Sequence, residues 1–474
     1  MHVAAVCRPV ASRPAPRWRL FASACTAAML AASVMAGIGA SSSARAAPQY
    51  YIPDVPADMD QVDMSLLTIG LGDDLASRFG HTGLRVINHL DGTDVVFNWG
   101  MFSFDDPLFA WRFFRGELDY HMGIATFRSD MRWHGMGKRR VESAALNLTA
   151  QQKRALLTKI AWNAKPENRM FRYQYWFKNC ATIPRDYLDE ALGGKIKERF
   201  VASPAGGTKF RDYVRANLAF MPFVAPALEL IMNGNIDRPI SIWEDMFLPA
   251  RLRDHLASLP ALDDDGHVIP GKMLLGPQEV VLDFPVEYAA PVPDYALLVA
   301  PIVLSLLAFV VALVLGRGQV TTGARRALGV GVTYWGIFAG VFGLTLALDW
   351  VGSGHPDTWH NANMLLVWPL DFAFIGWGVS LLRGRIVPDR LFGARRGVSL
   401  FLGLHALLLL GGVGASLAGV LRQDLSHTGL WLGVPAGLTW LALGLVGVAR
   451  PQTAYVPVEA EAGGRAGRLS TRRT

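Results

Sequence analysis

The chain is expected to combine an exported α+β domain with an all-α bundle of five membrane-spanning helices. Three observations lead there. The 474 residues are 51% hydrophobic, with a positive mean hydropathy. Long apolar runs crowd the part beyond residue 292, and residues 48–292 mix strand-like and helix-like patterns. The net charge of +7 is not a nucleic-acid footprint, because much of the Arg excess flanks apolar runs or lies in the C-terminal tail.

Residues 1–47 read as an export signal. Arg8, Arg13, Arg17 and Arg19 precede a small-residue apolar core from Leu20 to Ala40, and Ala44-Arg45-Ala46 offers a cleavage site. The core is long, so an uncleaved anchor is the alternative; its Ala, Ser and Gly content favours cleavage. Either way the domain 48–292 lies outside the cytoplasm.

Composition changes after Pro291, Val292 and Pro293. Spans are expected near 295–315, 328–348, 364–382, 398–420 and 428–448 within a membrane part of 293–450, each approaching the roughly 20 residues that cross a bilayer. Arg317, Arg325 and Arg326 follow the first span. Arg383, Arg385, Arg390, Arg395 and Arg396 follow the third, and more lie in the tail. The intervening loops, 349–363 and 421–427, share Arg422 alone. Positive charge stays inside, so the C-terminus is expected in the cytoplasm and the exported domain across the membrane. The tail 451–474 has too few apolar residues for a core and reads as disordered.

Within the exported domain, "MSLLTIGLG" (64–72) reads as a buried strand entering a Gly turn. "HTGLRVIN" (81–88) and "DVVFNWGMF" (94–102) read as a hairpin through Asp91-Gly92. The spacing over 149–164 predicts a helix with Thr149 as N-cap, and "RMFRYQYWF" (169–177) predicts another strand. From Ala181 to Leu192 the pattern turns helical. Ile183, Tyr187, Leu188, Ala191 and Leu192 share one face, Pro184 fits the first turn, and Gly193-Gly194 ends it.

Cys180 stands where that strand hands over to the helix. The chain has three cysteines, and Cys7 and Cys25 lie in the signal. A mature exported protein with one thiol has no internal partner for it, which points to a functional or intermolecular thiol; a buried packing Cys is the other reading. At a helix N-terminus the unpaired N–H groups favour a thiolate. A Cys nucleophile needs a base, and His81, flanked by Gly80 and Gly83, is the candidate, whereas His89, His121 and His134 read as loop or surface residues. Across the hairpin, Asn98 comes within reach to orient the imidazole, with Glu117, Asp119 and Tyr120 as rivals. Tyr173 and Tyr175 are candidates to line the substrate site. His355 and Asn361, in the outer loop "GSGHPDTWHNANMLLVWPL", are candidates to contact lipid headgroups or the exported domain. There is no H-E-x-x-H, G-x-S-x-G or phosphate loop, and thiol chemistry requires no metal or other cofactor.

The order His-then-Cys, with "SRFGHTGLRV", "NWGMFSFDDP", "FFRGELDYHM", "YQYWFKNCATIPRDYLDEALGG" and "ISIWEDMFLPARLRDHL", resembles circularly permuted papain-like folds of the NlpC/P60 kind. More closely it resembles the bacterial DUF4105 family, one branch of which is the Lnb-type lipoprotein N-acyltransferases. The membrane part, with "HPDTWHNANMLLVWPLDF", is similar as well, so the likeness spans most of 60–450. The resemblance implies an inner-membrane protein with its catalytic domain in the periplasm. It implies Cys–His acyl transfer from a phospholipid donor, through a thioester on Cys180, to the N-terminal amine of a lipoprotein, with His81 as base. A peptidoglycan amidase or endopeptidase is the alternative use of such a fold, and a binding protein with a vestigial fold is a third.

Overall fold

The computed structural model describes residues 52–285, 310, 322–385 and 396–429, except 103–106, 118, 220, 222 and 223. The export signal, nearly all of the span candidate 295–315, most of 428–448 and the tail 451–474 lie outside the described residues.

The exported domain contains strands β1 (Val62–Ile69), β2 (His81–Asn88), β3 (Thr93–Met101), β4 (Asp119–Thr126), β5 (Val141–Leu146) and β6 (Met170–Arg172). Two short pairs follow, β7 (Pro204–Lys209) with β8 (Pro239–Ser241) and β9 (Pro260–Leu262) with β10 (Val268–Met273); β11 is Leu275–Leu282. Six of these and β11 build an antiparallel sheet in the order β11-β5-β1-β2-β3-β4-β6. The helices here are α1 (Phe109–Phe114), α2 (Phe127–Met136), α3 (Ala150–Ala164), α4 (Thr182–Ala191), α5 (Lys195–Phe200), α6 (Phe210–Leu218), α7 (Val224–Ile231), α8 (Ile242–Asp245) and α9 (Pro249–Ala257).

The central strands carry near-continuous apolar runs because both sheet faces are covered. On one face Leu66, Leu84, Val86, Phe97 and Trp99 pack with Leu156 and Ile160 of α3 and with Ile183 and Leu188 of α4. On the other, Leu67, Ile69 and Val96 pack against Phe127 and Met131 of α2. The strand β2 spans the residues expected of it. The turn carries Gly92 at φ 73°, and α3 begins with a capping box between Thr149 and Gln152. Gly193 and Gly194, at φ 64° and 82°, end α4 as expected.

The stretch 169–177 departs from expectation. Only Met170–Arg172 pairs as a strand, against β4 at the sheet edge. Beyond it the chain closes a tight loop, with Gln174 and Lys178 exchanging N–H···O bonds of 3.0 Å. This loop delivers Cys180 to α4.

In the membrane part the described α-helices are α10 (Thr322–Gly352), α11 (Ala373–Leu382), α12 (Arg396–Leu417) and the single turn α13 (Ser426–Thr428). Among the described residues one helix, Arg325–Gly352, is both long and apolar enough to cross a membrane. The candidate 364–382 is not a continuous helix. It breaks into 3-10 turns at Ala362–Leu365 and Pro369–Phe372 before α11, where Pro369 starts afresh and Asp371 takes the Trp368 N–H at 2.9 Å. Glycines let α10 approach this broken segment closely: a Cβ on Gly336 would meet Ile375 at 2.7 Å, and one on Gly340 would meet Phe372 at 2.6 Å.

Candidate active site

Side chains from β2, β3, α2, the turn before β5 and the loop before α4 converge at one end of the sheet. His81 opens β2 opposite Ile69, the last residue of β1, and Ile69 also faces Val141 at the start of β5. Gly80 precedes it at φ 79°, where a Cβ would also press on the Ile69 carbonyl at 2.9 Å. Gly83 faces Asn98 across the ladder, and a Cβ there would meet Val96 at 2.8 Å and the Asn98 amide oxygen at 3.3 Å. The two glycines thus serve different needs, one the backbone turn and the other room for the Asn98 amide.

His81 Nε2 lies 2.9 Å from Asn98 Oδ1. Asn98 is itself buried and donates through Nδ2 to Asp130 Oδ1 at 2.9 Å. A carboxylate accepts hydrogen bonds only, so Asp130 fixes which end of the Asn98 amide faces His81. The amide oxygen therefore takes the proton on Nε2, and the unprotonated lone pair of neutral His81 sits on Nδ1. Behind Asp130 lies His134, one helical turn along α2, with Nε2 at 3.4 Å from Asp130 Oδ2 and its ring centroid 6.3 Å from that of His81. His134 is 4% exposed and belongs to this buried group, not to the surface.

Cys180 is brought in by the loop before α4, a helix that packs on β2. The pairing of β2 with β3 ends at Gly83–Asn98. Beyond that point Thr82, the residue after His81, lies near enough for its backbone N–H to favour the Cys180 thiolate, as the N–H of Cys180 itself does. Asn179 holds the thiol in place: its Oδ1 accepts from the Ala181 and Thr182 N–H groups at 2.8 and 2.9 Å, and its Nδ2 donates to the Tyr175 and Phe247 carbonyls at 2.8 and 3.0 Å. The motif "ISIWEDMF" thus supports the thiol loop through Phe247 O, and Asp245 within it binds Tyr213, Arg251 and His255.

The electrostatics differ from a preformed ion pair. Burial pushes the Cys180 thiol up to about 11, opposed by the Thr82 N–H, by Arg139 and by its own N–H. The first N–H groups of α4 are spent on Asn179, so they do little for the thiolate that the helix position led one to expect. Burial, then Arg139 and His134, bring His81 down to about 4. Both partners are neutral at pH 7. Arg139 donates twice to Gly70 O, at 2.9 and 2.8 Å, which places its charge beside both Cys180 and His81.

The rival orienting groups have other partners. Glu117 and Asp119 face Arg112, and Tyr120 stacks on Tyr173 at 4.5 Å. Tyr173 and Tyr175 meet edge-on at 5.9 Å, and Tyr173 lies near enough to Cys180 that the thiolate's charge raises the phenol, after burial. His355 comes in from the membrane part. It stacks on Tyr175 at 5.9 Å and its Nε2 bonds the Phe113 carbonyl at 2.6 Å. The Phe113 ring lies 5.2 Å away and Phe109 leads on to Phe102 and Tyr120, which closes a circuit of aromatic rings beside the thiol loop. Asn361 is placed apart from Cys180. Its Nδ2 bonds the Leu230 and Ile231 carbonyls at 3.0 and 2.5 Å, and its Oδ1 accepts from Gln423 and the Asn363 N–H. Its amide docks the outer loop onto α7.

Sequence reading did not find Asp130, His134, Arg139, Thr82 or Asn179. One signal was present: Asp130 and His134 stand four apart in a helical segment, hence on one face. For a cation, the described residues offer one group, Asp263, Asp265 and His267, with ligand atoms within 4.8 Å of one another. It sits on the turn between β9 and β10, where Asp263 already accepts the Asp265 and His267 N–H groups.

No curated protein and no solved structure matches the chain. Residues 54–209, which hold His81, Asn98, Asp130, Arg139 and Cys180, match the family model described as the Lnb N-terminal periplasmic domain, and so support an Lnb-type domain as the carrier of this thiol site.

Proposed function

We propose that the protein is a membrane-bound cysteine acyltransferase that moves an acyl chain from a phospholipid, through a thioester on Cys180, to the N-terminal amine of a lipoprotein. The observation that carries this reading is a buried chain, His81 Nε2 to Asn98 Oδ1 and Asn98 Nδ2 to Asp130 Oδ1 at 2.9 Å each, at the end of the sheet where the loop braced by Asn179 brings in Cys180. The Lnb-type match and the membrane-capable helix α10 make a lipid the fitting donor. A permuted papain-like, NlpC/P60-related lineage is part of the same proposal.

In the first step the thiol attacks the ester carbonyl while its proton passes to Nδ1 of His81. The C–S bond forms, the ester C–O bond breaks, and the imidazolium returns the proton to the departing lysophospholipid alkoxide. In the second step the neutral α-amine attacks the thioester. The C–N bond forms, the C–S bond breaks, the amine proton goes to His81 and from there back to sulfur. The backbone N–H groups of Cys180 and Thr82 and the Arg139 charge stabilise the negative charge that passes through the site. A neutral resting pair suits a membrane-proximal thiol, because a permanent thiolate would be more open to oxidation.

Intact-protein mass spectrometry after incubation with phospholipid tests the reading. A hydroxylamine-labile acyl adduct on wild-type protein, absent from Cys180→Ala, is the expected result. Folded, lipid-exposed protein that forms no adduct but cleaves muropeptides would replace acyl transfer with cell-wall peptide hydrolysis.

A further inference from the structure

The short helix α1 supplies Phe109 and Phe113 to the aromatic circuit and also meets the membrane part. It lies against the outer end of α10. The Gly354 N–H donates to the Phe114 carbonyl at 3.1 Å, and a Cβ on Gly352 would meet the Phe114 ring at 3.3 Å. A Cβ on Gly116 would meet the Gly354 carbonyl oxygen at 2.6 Å, so the two backbones touch. A helix that crosses a bilayer leaves it at headgroup level, and α1 is packed where α10 ends.

The two sides of α1 differ in what they meet. Leu108, just before it, and Trp111 within it are 62% and 59% exposed, and Arg115 is exposed beside them. Trp350 and Val351 at the end of α10 are exposed too. Apolar side chains, indoles and a cation at that level fit the interfacial layer of an anionic phospholipid membrane. On the other side, Phe113 meets His355, which stacks on Tyr175, and Tyr175 meets Tyr173 beside Cys180.

We propose that α1 is the element through which an acyl chain leaves the membrane: Leu108 and Trp111 rest in the outer face of the bilayer, and the Phe109 and Phe113 side guides the chain along His355, Tyr175 and Tyr173 to Cys180. The route is formed jointly, since His355 comes from the membrane part. It gives the aromatic circuit a ligand class, a hydrocarbon chain, and it rests on the acyl-transfer reading for its purpose. The placement of α1 on lipid does not need that reading.

Two measurements on the full chain in phospholipid nanodiscs test it. In a background with Cys7, Cys25 and Cys180 replaced by Ala, a nitroxide is attached through Leu108→Cys, or through Val268→Cys on the exported strand β10, where Val268 is 56% exposed. The label at Leu108 is expected to relax faster with oxygen than with a water-soluble nickel chelate, and the label at Val268 the reverse. Equal, water-like behaviour at both positions overturns the proposal. With Cys180 intact, thioester formation is then compared for a bilayer donor and a monomeric short-chain phospholipid. In Leu108→Ser/Trp111→Ser the bilayer-to-monomer ratio of rates is expected to fall about tenfold. An unchanged ratio overturns the route. A wild-type protein that forms no thioester with either donor, while the Leu108 label reads as lipid, sinks the acyl-transfer reading and leaves the docking intact.

Discussion

The indole N–H of Trp176 donates to Asp357 Oδ2 at 2.7 Å and so ties the loop that carries Cys180 to the outer loop of the membrane part. Around it the Asn233 N–H reaches the Asp357 carbonyl at 2.6 Å and the Asn233 amide reaches Pro356 O at 2.9 Å. Burial raises the Asp357 carboxyl and the Trp176 bond lowers it. The thiol site therefore depends on a contact between residues 181 positions apart.

Replacing Asp357 by Ala leaves a buried indole donor without its acceptor, a loss of about 1–3 kcal/mol. Chemical unfolding of the full chain in detergent is expected to show it. In a Trp176→Phe background the same substitution should cost much less, because the donor is already gone. Equal cost in both backgrounds would show that the pair carries no coupling.

Tautomer control gives a second prediction. Asn98→Ala removes the acceptor for His81 Nε2, and thioester formation is expected to slow by about ten- to a hundredfold with little change in donor affinity. Asp130→Asn lets the Asn98 amide turn and present its NH2 to His81, so it should lower the rate in the same way. Asp130→Glu should recover part of it if the longer carboxylate still reaches the amide. A raised KM at constant kcat in Asp130→Asn would instead make Asp130 a substrate-binding residue.

A third concerns the thiol. With Cys180 pushed up to about 11, its alkylation by iodoacetamide should accelerate close to tenfold per pH unit from 7 upward, with no plateau at neutral pH. Arg139 lowers both Cys180 and His81. Arg139→Met is thus expected to slow alkylation at a given pH and to raise the His81 pKa, two effects of one lost charge. A plateau below pH 8 in the wild type would mean a preformed thiolate.

His81 also makes stability depend on pH. Its folded value of about 4 lies below the ordinary 6.5, so the unfolded chain binds the proton first as pH falls. The contribution is present above 6.5 and is lost between 6.5 and about 4, amounting to about 3 kcal/mol over that window. Acid unfolding of wild type against His81→Gln should converge across that range. Parallel curves would count against a buried neutral imidazole.

The hairpin through Asp91-Gly92, the capped helix after Thr149, the amphipathic helix after Cys180 and the nearness of Asn98 to His81 were all legible in the sequence, because each rests on local propensity, side-chain period or the register of one short turn. That Cys180 is the one cysteine beyond residue 25 was legible by counting. Tertiary structure alone decided the rest. Strand pattern over 169–177 gave way to a tight loop, since only β4 was there to pair with it and the tyrosines turned inward to stack. Helix position suggested a lowered thiol, but the N–H groups that would lower it went to Asn179, and burial won. Asp130 and Arg139 reach the site from α2 and from the turn before β5, and His355 from beyond residue 352. Short-range pattern constrains a residue's neighbours a few positions away; contacts across tens or hundreds of positions exist only once the sheet has set the distances between its elements.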